Sequence, residues 1–137
     1  MKQIFCLLLV TTAIISCKDK KQKPVEKDTT VSLHSDTINV VKLTDTLVIW
    51  ESTCRGCAYE SSTHFDIADS LGIIKMHAIK TMDDNPSDMA GGNVSKQLIL
   101  VPTRTGTTTI KLYKFWKEQE TAEDSARFTS YTIEVRN

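Results

Sequence analysis

The sequence predicts an all-β domain, folded as an antiparallel β-sandwich, behind an export signal and a flexible tether. Three observations favour this class. From residue 29 onward the chain is rich in Thr, Val and Ile, its apolar residues alternate with polar ones over short spans, and turn residues separate these spans. Several short strands at such spacing are typical of two packed sheets, so we expect an immunoglobulin-like sandwich over residues 29–137.

Eight strands are predicted within this domain. They cover residues 31–33, 38–43, 46–50, 58–67, 73–80, 96–101, 108–116 and 127–136. In the last of them Tyr131, Ile133 and Val135 alternate with polar residues, which is the pattern of a strand with one buried face. In the strand before it, Ile110 and Leu112 are expected to point inward for the same reason.

Turn residues and polar loops separate the strands. Pro102 cannot donate to a ladder and is followed shortly by a glycine, so residues 102–106 are predicted to form a tight hairpin turn. Residues 83–93 are predicted to form a longer polar loop. Residues 117–126 contain good helix formers but no apolar face, and they are also interpreted as a loop. Trp50 is expected to lie in the core of the sandwich.

The N-terminus has the features of a secretory signal. Lys2 precedes an apolar run over residues 4–10, which is too short for a transmembrane helix because that requires about 20 apolar residues. Residues 14–17, Ile-Ile-Ser-Cys, resemble the lipobox of bacterial lipoproteins. This resemblance implies cleavage after a signal peptide of residues 1–16 and a lipid, with acyl groups such as palmitate, on Cys17. An ordinary cleaved signal is the alternative.

The segment after the lipobox predicts a tether. Residues 18–27 carry five lysines and two acidic residues and almost no apolar residue, so they cannot build a core. We interpret residues 17–28 as a flexible Lys-rich tether between membrane and domain. The protein is therefore expected in the cell envelope, anchored to a bacterial membrane, with the outer membrane favoured over the inner.

Charge and motifs exclude several function classes. The chain carries 17 basic and 17 acidic residues without a basic stripe, so nucleic acid is not expected as a partner. Acidic pairs such as Asp83 and Asp84 lie in polar stretches, and the sequence contains neither a nucleophile elbow nor a phosphate-binding glycine loop. His64 and His77 lack the spacing of zinc ligands and are interpreted as surface residues. We expect no enzyme activity, no cofactor and no metal.

The cysteine count isolates one pair. Cys6 would leave with the signal and Cys17 would be lipidated, as the lipobox resemblance implies, so Cys54 and Cys57 would remain. Two thiols in an oxidising compartment tend to pair, and we expect a disulfide that fixes the short loop between them. A redox dithiol is an alternative, although no βαβ pattern follows the pair. The spacing also leaves open a pair of free thiols or a metal site.

The C-terminal third of the chain carries a family resemblance. Its elements are Gly91-Gly92-Asn93, the strand at residues 97–101, the Thr-rich strand at 106–113, Trp116, and Tyr-Thr-Ile-Glu-Val at 131–135. This series resembles the chagasin-like inhibitors of papain-type cysteine proteases. That family is an immunoglobulin-like sandwich whose three neighbouring loops enter and flank the protease cleft.

The resemblance implies site residues, and the sequence departs from the family at two places. The Gly-rich loop falls on residues 89–93 and the tryptophan of the third loop on Trp116. Residues 52–56 keep only the glycine of the first motif, Asn-Pro-Thr-Thr-Gly. Lys114 and Phe115 stand where Arg-Pro precedes the tryptophan in the family. The loop that plugs the protease cleft is thus replaced.

We therefore predict a protein-binding surface at one end of the domain, formed by residues 51–58, 89–93 and 115–117. Its candidate contact residues are Thr53, Arg55, Gly56, Gly91, Gly92, Asn93, Phe115 and Trp116. Trp116 is the expected aromatic contact, and the Cys54–Cys57 disulfide is expected to pre-organise its loop. Because Phe115 and Trp116 are neighbours in a strand, one of them is expected to face inward.

Three functions remain open at this point. The first is inhibition of a papain-like cysteine protease by the loops. The second is a non-inhibitory structural or ligand-binding lipoprotein whose partner is another envelope protein. A redox protein that uses the cysteine pair is the third.

Overall fold

A computed structural model describes residues 29–83, 91–117 and 121–137 of the chain. The predicted signal peptide, the predicted lipidation site Cys17 and the predicted tether lie outside the described residues. So do residues 84–90, which belong to the predicted polar and Gly-rich loops, and residues 118–120 of the predicted loop at 117–126. Within the described ranges, no helix has the length and apolar character needed to cross a membrane.

The described chain forms eight strands and one short helix. In order they are β1 (Thr30–Ser32), β2 (Ile38–Lys42), β3 (Thr46–Cys54), β4 (His64–Ala68), β5 (Ile74–Met82), β6 (Asn93–Pro102), β7 (Gly106–Phe115), α1 (Ala122–Ser125) and β8 (Phe128–Arg136). Every predicted strand is present. The largest boundary error is at β4, which was expected to begin at residue 58, because residues 58–62 form turns instead.

Helix α1 corrects the expectation that residues 117–126 are entirely loop. The Thr121 hydroxyl accepts a hydrogen bond from the Asp124 backbone N–H at 3.2 Å, and the Asp124 carboxylate accepts one from the Thr121 N–H at 3.1 Å. This reciprocal capping box satisfies backbone groups at the start of a helix locally. The absence of an apolar face led us to expect a loop. The capping box nevertheless allows a single helical turn to form here.

The strands form two four-stranded sheets packed as a sandwich. One sheet has the order β1-β3-β6-β5 and the other β2-β8-β7-β4. The central pairings are antiparallel, whereas the edge strands β1 and β2 pair in parallel with β3 and β8. The turn predicted at residues 102–106 is present, since Pro102 ends β6 and Gly106 begins β7 with a φ of 139°. The predicted immunoglobulin-like sandwich is confirmed.

The core lies between the inner faces of the two sheets. It includes the apolar residues Leu47, Ile49, Leu98 and Leu100 from one sheet and Ile110, Leu112, Tyr131, Ile133 and Val135 from the other. The inward orientation predicted for the β7 and β8 residues is thus confirmed. The prediction for Trp50 is wrong, because its neighbour Ile49 points into the core and alternation leaves Trp50 outward and 52% exposed.

The strand register places three connections at one end of the sandwich. Cys54 at the end of β3 pairs with Asn93 at the start of β6, and Phe115 at the end of β7 pairs with His64 at the start of β4. The same end therefore carries the β3–β4 loop (residues 55–63), the described residues of the β5–β6 loop (83, 91 and 92) and those of the β7–β8 loop, which includes α1 (116, 117 and 121–127). We call these three loops together the loop end.

Candidate functional site

The β3–β4 loop joins the other two members of the loop end. The Arg55 backbone N–H donates a hydrogen bond to the Gly92 carbonyl at 2.9 Å, which links it to the β5–β6 loop. The Ser62 hydroxyl donates to the Trp116 carbonyl at 2.6 Å, which links it to the β7–β8 loop. Both acceptors are backbone atoms, so these bonds fix the paths of the loops relative to one another.

A disulfide closes the first turn of the β3–β4 loop. Cys54 is the last residue of β3 and is bonded to Cys57, with the two Cα atoms 5.9 Å apart, a usual separation for a disulfide. Between them Gly56 has a φ of 68°, a conformation that other residues rarely adopt, and its N–H donates to the Glu60 carboxylate. No helix begins at the pair, so the feature that activates the first thiol of a thioredoxin-like dithiol is missing from this described segment.

Arg55 takes part in the assembly of the loops. Its guanidinium forms an ion pair with Asp83 at the end of β5, and its side chain is only 12% exposed. The predicted contact residue Arg55 is therefore engaged within the domain. Its charge ties the β3–β4 loop to the segment that enters the β5–β6 loop.

Trp116 and Tyr59 are exposed aromatic side chains in the described residues of the loop end. Trp116 is 41% exposed and Tyr59 is 44% exposed. They line an open cleft of about 510 Å³, whose other walls come from Lys117, Thr121, Glu123 and Asp124. Sequence reasoning missed Tyr59 because it fell within a strand predicted to begin at residue 58. An aromatic residue two positions after a disulfide-bonded cysteine was the available signal.

The ammonium group of Lys114 packs against the ring of Trp116. Its ammonium lies 4.9 Å from the centre of the Trp116 ring, within the range of a cation–π contact. The same ammonium donates a hydrogen bond to the Ser52 carbonyl and lies 3.5 Å from the Glu51 carboxylate, both on the opposite sheet. Lys114 and Glu51 are 25% and 22% exposed. Burial and the negative charge of Glu51 raise the pKa of Tyr131.

Two of the predicted contact residues are buried, which corrects their assignment to a binding surface. Thr53 is 2% exposed, because alternation along β3 turns it inward. Phe115 is 5% exposed and stacks against His64 and Tyr113, with ring centres 5.0 and 5.8 Å away. Of the two neighbouring aromatic residues Phe115 is the buried one, but it does not face the core as expected, because alternation with Leu112 and Lys114 places it on the outer face of its sheet. Both residues can only support the loops that a partner would contact.

The remaining predicted contact residues lie on the surface. Gly56, Gly91, Gly92 and Asn93 are exposed or partly exposed, and Gly91 and Gly92 have φ values of 91° and 95°. An added Cβ atom at Gly56 would lie 3.7 Å from the Gly91 N atom, so the two glycine turns approach each other closely. The exposed part of the loop end therefore combines glycine backbone with two aromatic side chains.

The described residues offer no evident metal centre. Within residues 29–83, 91–117 and 121–137, no group of three or more His, Cys, Asp or Glu side chains is close enough to hold a metal ion. His77 lies on β5, and the Nδ1 atom of His64 lies 3.0 Å from the Ser62 carbonyl oxygen.

Known structures share this fold. Neither a protein-family model nor a curated protein matches the sequence. The crystal structure of the cysteine protease inhibitor EhICP2 from Entamoeba histolytica matches with a TM-score of 0.52 and 21% identity, over 79% of this chain and 95% of that one. The solution structure of amebosin matches with a TM-score of 0.57 and 15% identity, over 80% and 99%. The chagasin-like fold predicted from residues 91–135 is thereby confirmed.

Replacing Lys114 with methionine is expected to loosen Trp116. The variant removes the cation from the indole face and leaves Glu51 without its partner, so we expect unfolding to become easier by about 1–3 kcal/mol. Trp116 fluorescence, isolated in a Trp50→Phe background, should shift to longer wavelength as the ring becomes more hydrated. Lys111→Met is the matched control, because Lys111 lies on the same strand as Lys114 and its ammonium contacts the ring of Phe128 on β8. Unchanged Trp116 emission would contradict the supporting role of Lys114.

Proposed function

We propose that this protein is a bacterial envelope lipoprotein, anchored through Cys17, that inhibits a papain-like cysteine protease by placing its loop end in the protease cleft. The observation that carries the inhibitory part is the set of three loops, joined by hydrogen bonds at one end of a chagasin-like sandwich, with Trp116 exposed on them. EhICP2, which shares the fold, is a cysteine protease inhibitor. The anchor rests on the lipobox sequence.

The geometry of the loop end suits insertion into a cleft. A loop that is already ordered loses little conformational entropy on binding, and both inter-loop hydrogen bonds and the disulfide order the β3–β4 loop. In this proposal the Cys54–Cys57 turn takes the place of the family's Asn-Pro-Thr-Thr-Gly motif as the central element. The flanking contacts come from Trp116 and from the glycine backbone at Gly91 and Gly92.

Titration of several papain-like proteases with the purified protein tests the proposal. We expect activity to fall in proportion to the inhibitor added, to near zero at about one equivalent, because a binding site that fills the cleft excludes substrate. A serine protease assayed in parallel should keep its activity. Full activity of every papain-like protease in the presence of a large molar excess would overturn the inhibitory proposal.

Removing the disulfide is expected to weaken inhibition more than it weakens the fold. In the Cys54→Ser/Cys57→Ser variant we expect about tenfold weaker inhibition, because the loop must then be ordered on binding. The ring closed by the bond is very short, so the loss in unfolding free energy should stay below about 2 kcal/mol. Urea unfolding and protease titration measure the two effects separately.

The design must exclude two side effects. Papain-like proteases are assayed with a thiol, so the bond in the wild-type protein is checked by alkylation and mass measurement under the assay conditions. The double variant avoids the free thiol that either single variant would leave. Equal inhibition by variant and oxidised wild type would show that the disulfide has no pre-organising role.

The altered first motif favours one second candidate, a non-inhibitory envelope protein. Residues 52–56 keep only the glycine of the inhibitory motif, so the same loop end could serve a different protein partner. A pull-down from envelope extract, with Trp116→Ala as the comparison bait, tests this function. A partner captured by the wild type and lost with the variant, together with unaffected proteases, would favour it over inhibition.

A further inference from the structure

The first described strand fixes where the chain enters the domain. Strand β1 pairs in parallel with β3, and Thr30 lies opposite Thr46, the first residue of β3. Strand β3 then runs to Cys54 at the loop end. The chain therefore enters the sandwich at the end opposite the three loops.

Hydrogen bonds to β3 hold the chain at this entry point. The Thr46 N–H donates to the Thr29 carbonyl at 3.0 Å, and the Leu33 N–H donates to the Val48 carbonyl at 2.8 Å. Leu33 is also buried in the core, at 7% exposure. Residue 29 cannot move toward the loops without breaking these contacts.

The two ends of the domain are far apart compared with the extension expected of the tether. Strand β3 contains nine residues, and a strand rises about 3.3 Å per residue, so the entry point and the loop end are separated by about 30 Å. An unordered chain of the length predicted for the tether, from Cys17 to residue 29, has a root-mean-square extension of about 20 Å. A tether that returned along the domain to bring the loop end to the membrane would have to be stretched well beyond that.

We infer that the anchored protein holds its loop end away from the membrane and binds a partner that approaches from the aqueous phase. This inference rests on the proposed lipidation of Cys17. The membrane then lies on the side of β1 and of the β2–β3 turn, while Trp116 and Tyr59 face outward. If the loop end faced the membrane instead, these exposed aromatic residues would enter the lipid interface. The partner is thus a water-exposed protein with an open cleft, rather than a protein buried in the same membrane.

Energy transfer to the membrane surface measures the orientation directly. Single cysteines are introduced at Ser61 in the β3–β4 loop or at Thr44 in the β2–β3 turn, both exposed, and carry a donor dye. The lipid-modified full chain is reconstituted in vesicles that contain an acceptor lipid. The disulfide-bonded Cys54 and Cys57 do not compete for the dye. We expect markedly stronger transfer from position 44 than from position 61.

The controls separate this inference from the proposed function. A chain that begins at residue 17 and carries Cys17→Ser, so that it lacks both the signal peptide and the lipid, should neither float with vesicles nor show transfer from either position. If the wild-type chain also fails to float, the anchor and the orientation are both overturned. If it floats but position 61 shows equal or stronger transfer, the orientation alone is overturned. Inhibition of a soluble protease by the vesicle-bound chain, compared with Cys17→Ser, reports on inhibition independently, since neither form inhibits if the proposed function is wrong.

Discussion

Trp116→Ala is expected to weaken inhibition of a papain-like protease about 30-fold or more. An exposed tryptophan that becomes enclosed at the centre of an interface typically contributes at least about 2 kcal/mol to binding. Trp116 meets the first condition at 41% exposure and lies beside the β3–β4 loop, to which its carbonyl is bonded. The inhibition constant for one protease, measured for wild type and variant, gives the effect directly.

The chain provides a matched control in its other tryptophan. Trp50 is 52% exposed on the outer face of its sheet, where it pairs with Gln97. Trp50→Ala removes the same side chain from a surface outside the loop end, and we expect inhibition to be unchanged. Equal weakening by the two substitutions would indicate a general loss of structure, and no weakening by Trp116→Ala would remove Trp116 from the proposed interface.

Most of the fold could be predicted because most strands have one buried face. Where apolar and polar residues alternate, as around Tyr131 and Ile133, each side chain's direction follows from its position in the strand. Trp50 shows the limit of judging by residue type. Its size and apolar character suggested the core, but its neighbour Ile49 already occupied the inward position.

The candidate site was predicted less completely, because it depends on contacts between distant segments. The sequence indicated that either Phe115 or Trp116 faces inward, but Phe115 is instead buried on the outer face of its sheet, where pairing with β4 stacks His64 on it. The bond from Lys114 to the Ser52 carbonyl spans 62 positions, and nothing local indicates it. The sequence identified segments that the structure brings together at one end of the domain, whereas the supporting contacts required the tertiary structure.

A second large effect is expected at Asp69, which organises the end of the domain opposite the loops. It follows β4, and its carboxylate accepts hydrogen bonds from the backbone N–H groups of Ile73 and Ile74, both at 2.7 Å. It also accepts from Leu71 at 3.0 Å and from the Thr108 hydroxyl on β7 at 2.6 Å. One side chain thus closes the β4–β5 turn and joins it to β7, the strand that pairs with β4.

Asp69→Asn is expected to lower the free energy of unfolding by about 2–3 kcal/mol at neutral pH, because an amide presents one acceptor oxygen and an uncharged one to these four donors. Asp66→Asn is the matched control. Asp66 is exposed, and its carboxylate accepts from the adjacent Ile67 N–H, so we expect a change within about 0.5 kcal/mol. Urea unfolding of the three proteins measures both effects, and equal losses would contradict the organising role of Asp69.

The same comparison should depend on pH in a defined direction. Burial raises the pKa of Asp69. The hydrogen bonds from Thr108, Ile74, Leu71 and Ile73 together lower it by more than burial raises it, so the folded pKa lies below the ordinary value of 3.8. Between the folded pKa and the ordinary value, the unfolded chain binds the proton more readily than the folded one. The stability that Asp69 contributes is therefore complete above its ordinary pKa and is lost as the pH falls through the folded value. The difference between wild type and Asp69→Asn should shrink on acidification, and a difference that stayed constant would mean that the ionised carboxylate is not its source.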